Sequence, residues 1–203
     1  MLLVFVSFRS LSLDTTVPRT LKVNEPTKVN EPTEVLFPKN KTVLTPIMET
    51  PPFLGSTFHG FKEALAFKES SGNYFVTNTQ GYLGKYQFGI GTLELMGVSN
   101  PSVFLNDPIL QEKAFETNIA RNKWIMRRDI KKFVGKQIKG IEITESGMLA
   151  AAHLAGPGNV MKYLRSYGKT NFKDLYGSTI VDYLKEFSGY DISLVPPKHN
   201  PKM

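Results

Sequence analysis

Glu69 and Ser70 stand side by side at the end of a stretch with helical spacing, and Gln87 follows eighteen residues after the glutamate. The run between them is punctuated by Gly81 and Gly84, and Gly89 comes just after it. A second block, Ala152-His153-Leu154-Ala155-Gly156-Pro157-Gly158, lies downstream. A glutamate at a helix end beside a glycine-rich loop suits donation of a proton to a leaving glycosidic oxygen. That chemistry needs a carboxyl still protonated near neutral pH, and an exposed glutamate is ionised there. Backed by Phe61, Leu65 and Phe67 and roofed by Tyr74, Phe75 and Tyr86, Glu69 is expected to be desolvated enough to raise its pKa by about a unit or two.

Direct hydrolysis usually sets a second carboxylate opposite the acid, as nucleophile or as activator of a water. Between Ser70 and Leu93 the sequence holds neither Asp nor Glu. The loop after the acid therefore favours a route with one carboxylate, and Glu94, Asp107 or Glu145 would have to be brought in by the fold.

The Glu69-Ser70 pair, Gly81, Gly84 and Gln87 in their register, and the later Ala-Gly-Pro-Gly of residues 155–158, together resemble the soluble lytic transglycosylase and goose-type lysozyme families. In those families a Glu-Ser pair ends a helix, a Gly-Leu-Met-Gln segment follows, and an Ala-Tyr-Asn-Ala-Gly-Pro-Gly block comes later. The resemblance spans about residues 58–187. It implies a mainly α, lysozyme-like α+β fold, a helical bundle around a buried helix with one small β-hairpin at the active-site cleft. It also implies a peptidoglycan lytic transglycosylase that cleaves the β-1,4 bond between N-acetylmuramic acid and N-acetylglucosamine. In that route the substrate's N-acetyl group supports the cationic centre. Glu69, the catalytic residue, then acts as base on the muramic C6 hydroxyl, and the product is a 1,6-anhydro sugar. The partner is the glycan strand, no cofactor is needed, and the place of work is the cell envelope or outside the cell. A muramidase hydrolase is the nearest alternative, and a non-catalytic wall-binding module is one of another class.

The residues expected to face the saccharide are Ser70, Asn78, Gly84, Tyr86, Gln87, His153, Ala155, Gly156 and Tyr183. Several have a plainer reading. Ser70 orients the loop or the acid, or is an ordinary helix-end hydroxyl. The glycines admit a close sugar or simply make turns. Tyr86 is the favoured stacking aromatic because it adjoins Gln87. Tyr183 is either a core tyrosine or the family's late tyrosine beside the acid. His153, between alanines on an apolar helix, reads first as a structural histidine. The sequence departs from the family at His153 and Leu154, which replace tyrosine and asparagine, and at Lys85-Tyr86, which replaces Leu-Met on the surface expected to face the sugar.

The elements that must hold these residues read as follows. Residues 58–69 form an amphipathic helix broken by Ser71-Gly72-Asn73, and residues 73–88 suit a short irregular hairpin or an extended loop. A short helix covers residues 91–96. Asp107-Pro108 opens a long helix to about Phe133, with Phe115, Ile119, Asn122 and Met126 on one stripe. Arg127, Arg128, Lys131 and Lys132 make its end basic, which suits the helix dipole or an anionic substrate. Thr144 caps a small, apolar and therefore buried helix to about Leu154. Two further helices cover residues 159–165 and 178–187, and the tail over residues 191–203 is expected to fray.

Ahead of the domain at 57–190, residues 10–56 read as an extended tether rich in Pro and Thr, with KVNEPT repeated at 22–27 and 28–33. Residues 1–9 resemble the apolar core of a secretory signal, without basic residues ahead of it and with Arg9 interrupting it. No apolar run approaches the roughly 18 residues of a membrane span. The absence of cysteine excludes disulfides, thiolate metal sites and a cysteine nucleophile. Three scattered histidines leave no metal site to read. The net charge is +7, and the first 56 residues carry 6 Lys/Arg against 5 Asp/Glu while the rest carry 19 against 13. The excess sits in the folded part and fits an anionic partner, for which an acidic wall polymer is preferred over nucleic acid. The expected state is a monomer.

Overall fold

The computed structural model describes residues 54–203. The signal-like segment, the repeat and the tether up to residue 53 lie outside the described residues. The described chain is mainly helical. It runs through α1 (Phe58–Ser70), α2 (Ile90–Leu95), α3 (Pro101–Leu105), α4 (Pro108–Phe133), a hairpin of β1 (Gln137–Ile138) and β2 (Ile141–Glu142), then α5 (Glu145–Ala155), α6 (Pro157–Arg165) and α7 (Ile180–Glu186). No helix among the described residues is long and apolar enough to cross a membrane.

α1, α4, α5 and α7 each begin where a short polar side chain takes up a free backbone N–H. Thr57 Oγ1 accepts from Gly60 N at 3.1 Å, Asp107 Oδ1 from Leu110 N at 2.9 Å, and Thr144 Oγ1 from Gly147 N at 3.2 Å. Thr179 and Asp182 cap α7 reciprocally. α1 ends at Ser71, which is left-handed at φ 55°, and Gly72 follows at φ 78°. That stop leaves Glu69 in the last turn.

α5 is the buried centre. Every residue from Ser146 to Ala152 is buried, and α4, α6 and α7 pack around it. A side chain at Gly147 would place its Cβ 2.7 Å from the carbonyl oxygen of Leu184, so the close approach of α5 and α7 requires glycine there. The expected stripe on α4 faces this core, since Phe115, Ile119 and Met126 are fully buried and Asn122 nearly so.

Two expectations need correction, and one short helix is added. The paired strands lie at residues 137–142, behind α4, whereas residues 73–88 hold only the isolated bridges Thr77–Leu83 and Leu83–Phe88. Lys139 and Gly140 form the tight turn with φ 50° and 74°, the two positive values that a two-residue hairpin turn demands. The short α3, begun by Asn100 and Pro101, has no counterpart in the sequence reading. The tail is held in place: Lys198 N donates to Ala120 O at 3.0 Å, Met203 N to Met96 O at 2.9 Å, and the His199 ring packs against Trp124.

Candidate active site

Glu69 lines a cavity of about 320 Å³, and the Tyr183 hydroxyl, on α7, donates to its Oε1 at 2.7 Å. Burial pushes its carboxyl pKa above the usual carboxylate range. The nearby His153 and the Tyr183 hydrogen bond oppose the rise without cancelling it, and the carboxylate of Asp174 adds to it. The negative end of the α1 dipole works in the same direction as burial. Tyr183 is itself held well above the normal phenol range by burial and by Glu69, so it remains a donor.

The loop at residues 73–88 faces the acid because three helices seize the peptide groups around Lys85 and Tyr86. From α1, Ser70 Oγ donates to Lys85 O at 2.7 Å. From α4, the fully buried Gln111 accepts from Lys85 N at 2.9 Å and donates to Tyr74 O, Phe104 O and Leu105 O. From α5, His153 Nε2 donates to Tyr86 O at 2.7 Å, and its Nδ1 lies 3.4 Å from the Asn118 side-chain amide. The next residue, Gln87, is left-handed at φ 48°, a cost of about 1 kcal/mol or more for a side chain of this kind. Its Nε2 closes back on Gly84 O at 2.8 Å, and the residue lines the same cavity as Glu69.

The rest of the cavity comes from two facing loops and α5. Asn78, Gln80 and Tyr82 stand on one side, Phe172, Lys173, Asp174, Leu175 and Tyr176 on the other, with His153 and Leu154 between. The two loops are clasped by a 2.7 Å hydrogen bond between Thr79 Oγ1 and the Tyr176 hydroxyl. Asp174 accepts from the backbone N–H groups of Tyr176 and Ser178 through Oδ1 and brings a second carboxylate to the cavity. Glu94, Asp107 and Glu145, the acids considered from sequence, do not line it. Beyond Gln87 and His153 the groove continues into a second chamber of about 280 Å³, which Gly156 and Pro157 help to line.

The structure thus brings Glu69, Asn78, Gln87 and His153 to one cavity with Tyr183 behind the acid, and Gly156 to its continuation. Other expected positions sit elsewhere. Tyr86 is fully buried, its ring stacked on Phe115 at 4.2 Å and its hydroxyl on Glu112, so it cannot offer a face to a sugar. Gly84 is buried too, and a Cβ there would meet Gln111 Oε1 at 2.1 Å, so this glycine makes room for the pinning amide and not for a ligand. Ser70 spends its hydroxyl on the loop. Ala155 lines neither chamber, and its carbonyl accepts from Asn159. The roof expected over Glu69 is also displaced, because Tyr74 turns its hydroxyl to Glu112 and Phe75 is 62% exposed.

Lys85 turns inward as well, at 4% exposure, onto Glu63 at 2.7 Å and Glu112 at 2.9 Å. Lys62 completes the cluster at 2.6 Å from Glu112. Burial alone would raise the Glu112 carboxyl, but hydrogen bonds from Lys62, Lys85 and Tyr74 outweigh it and hold it at about 2. Burial likewise works against the Lys85 ammonium, and its carboxylate partners keep its pKa above the lysine range all the same. This cluster binds α1, α4 and the loop together beneath the groove.

Comparison with known proteins gives no match. No family model, no curated protein and no solved structure matches this chain. Among the described residues no group of three or more His, Cys, Asp or Glu side chains is placed to hold a metal ion. The arrangement offers, from side chains alone, a desolvated carboxyl with a fixed donor behind it and amides and aromatics along an open groove.

Proposed function

We propose that this protein is a glycan-cleaving enzyme of the lysozyme-like kind, a lytic transglycosylase acting on the β-1,4 bond between N-acetylmuramic acid and N-acetylglucosamine. The observation that carries this reading is the Glu69 carboxyl on the cavity wall, its pKa raised by burial and its Oε1 held by Tyr183. A protonated Glu69 gives its hydrogen to the bridging oxygen as the bond to C1 breaks and its electron pair leaves with that oxygen. The substrate's N-acetyl oxygen then supports C1. The Glu69 carboxylate next takes the proton of the muramic C6 hydroxyl, and O6 closes on C1. Glu69 ends protonated, as it began, so one carboxyl suffices.

One observation favours a second reading, in which water takes the place of O6. Asp174 lines the same cavity and could accept a water proton as the water oxygen bonds to C1, which would make the enzyme a muramidase hydrolase. Incubating purified peptidoglycan with the wild type, Glu69→Gln and Asp174→Asn separates these outcomes. Soluble fragments ending in anhydro sugars, lost in Glu69→Gln and kept in Asp174→Asn, support the transglycosylase. Reducing ends, lost in both variants, support the hydrolase. Undiminished release by Glu69→Gln overturns Glu69 as the catalytic acid and with it this mechanism, and glycan binding without release from the wild type leaves a wall-binding module.

A further inference from the structure

The chain's positive charge is gathered at one end of the fold. Residues 127–142 and 162–169 hold nine Lys and Arg against two acids, Asp129 and Glu142. Their net of +7 equals the charge of the whole protein, because the remaining residues hold sixteen of each sign. Among the described residues only one of the nine cations is in an ion pair: Arg165 grips the nearly buried Asp129 with bonds of 2.9 and 2.7 Å. The other eight are exposed. α4 and α6 both end here and their dipoles favour cations, but two helix ends together present only about one negative charge. Most of the excess therefore has no use inside the fold.

Contacts around Phe133 make the two stretches one surface. The Lys132 and Lys136 ammonium groups stand 5.1 and 5.7 Å from the centre of the Phe133 ring, and the Tyr167 ring meets it at 5.9 Å. The turn of the β1–β2 hairpin comes against the end of α6, where a Cβ on Gly168 would lie 3.0 Å from Lys139 Cδ. Three chain reversals thus meet, one after α4, one in the hairpin and one after α6. They also present apolar surface, since Tyr167 is 56% exposed and Val134 45%. None of these residues lines either chamber of the groove. α6 begins at the rim of the second chamber, and its nine residues carry the chain about 13 Å away before ending at Arg165.

The chemistry of this surface selects among anionic partners. Six of the nine cations are lysines, point charges on flexible stems, and Arg165 has spent its planar fork on Asp129. Such a surface responds to charge density and not to one particular phosphate. A single-stranded polyanion is tracked by a groove, whereas this end is built from turns. An exposed tyrosine and valine among lysines suit the headgroup level of an anionic bilayer, where the apolar body and the polar tip of the ring are both accommodated.

We propose that this end of the protein is a docking surface for an anionic lipid bilayer, with the lysines among the headgroup phosphates and Tyr167 set between them. The glycan-cleaving reading is not needed for it, since none of these residues takes part in that reaction.

Co-sedimentation of the full chain with vesicles at physiological salt tests this, using phosphatidylcholine alone and phosphatidylcholine mixed with phosphatidylglycerol. Binding is expected to the mixed vesicles alone and should weaken as salt is added. Replacing Lys132, Lys136 and Lys139 together with Gln should weaken it about a hundredfold, which is about fivefold for each lysine at an anionic surface. Lys113→Gln, Lys185→Gln and Lys198→Gln together remove the same charge elsewhere and should leave binding within about threefold. Tyr167→Ser should weaken binding to the vesicles a few-fold and leave binding to soluble polyphosphate unchanged. Thermal melts of the two triple variants show whether each is folded, and Lys136→Gln alone, at an exposed turn, carries the test if the first is not. Equal binding to both kinds of vesicle, or binding that survives loss of the three lysines, overturns the proposal. Tighter binding to polyphosphate or duplex DNA at equal phosphate concentration overturns it too and makes the partner a polymer. Glu69→Gln should dock like the wild type, so a failure to cleave and a failure to dock are read separately.

Discussion

The Tyr183 hydroxyl and Glu69 Oε1, 114 residues apart in the chain, are joined by a 2.7 Å hydrogen bond, and this contact works against burial in setting the acid's pKa. A donor to the carboxylate favours the ionised form, while loss of hydration favours the neutral one. Replacing Tyr183 with Phe removes the donor and keeps the ring. The Glu69 pKa should then rise further, and the alkaline limb of the pH–kcat profile should move to higher pH. The maximum should fall roughly tenfold or more as the carboxyl loses its fixed orientation. A fall with an unmoved limb would show that Tyr183 only packs.

Glu69 should also weaken the fold that holds it. Its pKa is higher folded than unfolded, so the native state binds more protons than the unfolded chain between the two values. The stability this contributes is complete below the unfolded value and is lost as pH rises through the folded one. At pH 7 the buried carboxylate is therefore a liability. Glu69→Gln, which is neutral at every pH, should raise Tm near neutrality by about 1 to 4 °C while removing activity. Thermal melts of both proteins at pH 4 and pH 7 check this, since the gap should close at the acid end. A variant less stable than the wild type at pH 7 would contradict it.

Much of this site was legible because helical phase and glycine spacing are local signals. Glu69 in the last turn of α1, and Gln87 at a fixed distance after it, depend on a helix stop and a loop length, both written in neighbouring residues. The facing of Tyr86 was not legible, since it is decided by Gln111 and Glu112 on a helix that begins twenty-two residues later. A clue did exist. Gln111, Asn118 and Asn122 fall in phase with the buried Phe115 and Ile119, and a polar residue on an apolar stripe must find a partner inside. Asp174 lies in a turn, Asp174-Leu175-Tyr176-Gly177-Ser178, where no period betrays which way a side chain points. The β1–β2 hairpin escaped because each strand is two residues long, too short for alternation to repeat.

Gly84 should be the least replaceable residue of the loop. A methyl group there would sit 2.1 Å from Gln111 Oε1, and its φ of 72° is unfavourable for any side chain. Gly84→Ala should cost about 2 to 4 kcal/mol, from backbone strain plus displacement of a buried amide that serves four backbone groups. Urea unfolding at neutral pH measures it. Gly81→Ala, where φ is 79° but the space is open, separates the two contributions and should cost about 1 kcal/mol. Equal costs at the two positions would remove the steric part of this account.

The charge cluster below the groove ties part of the fold's stability to pH on the acid side. Glu112 is held at about 2 against an ordinary value of 4.5, so the stability it contributes is full above 4.5, declines steadily as pH falls below that value and is gone below about 2. Glu112→Gln removes the charge that Lys62, Lys85 and two tyrosine hydroxyls all address and leaves the buried Lys85 with Glu63 alone. At pH 7 that should cost about 3 to 5 kcal/mol, the usual result of removing one member of a buried ion cluster. The difference between wild type and variant in urea unfolding should start to shrink below about pH 4.5, still be measurable at pH 3.5, and reach its minimum only toward pH 2. A difference already gone at pH 4 would mean that water reaches Glu112 freely, and the loop over the acid would then be anchored by Gln111 and His153 without help from the cluster.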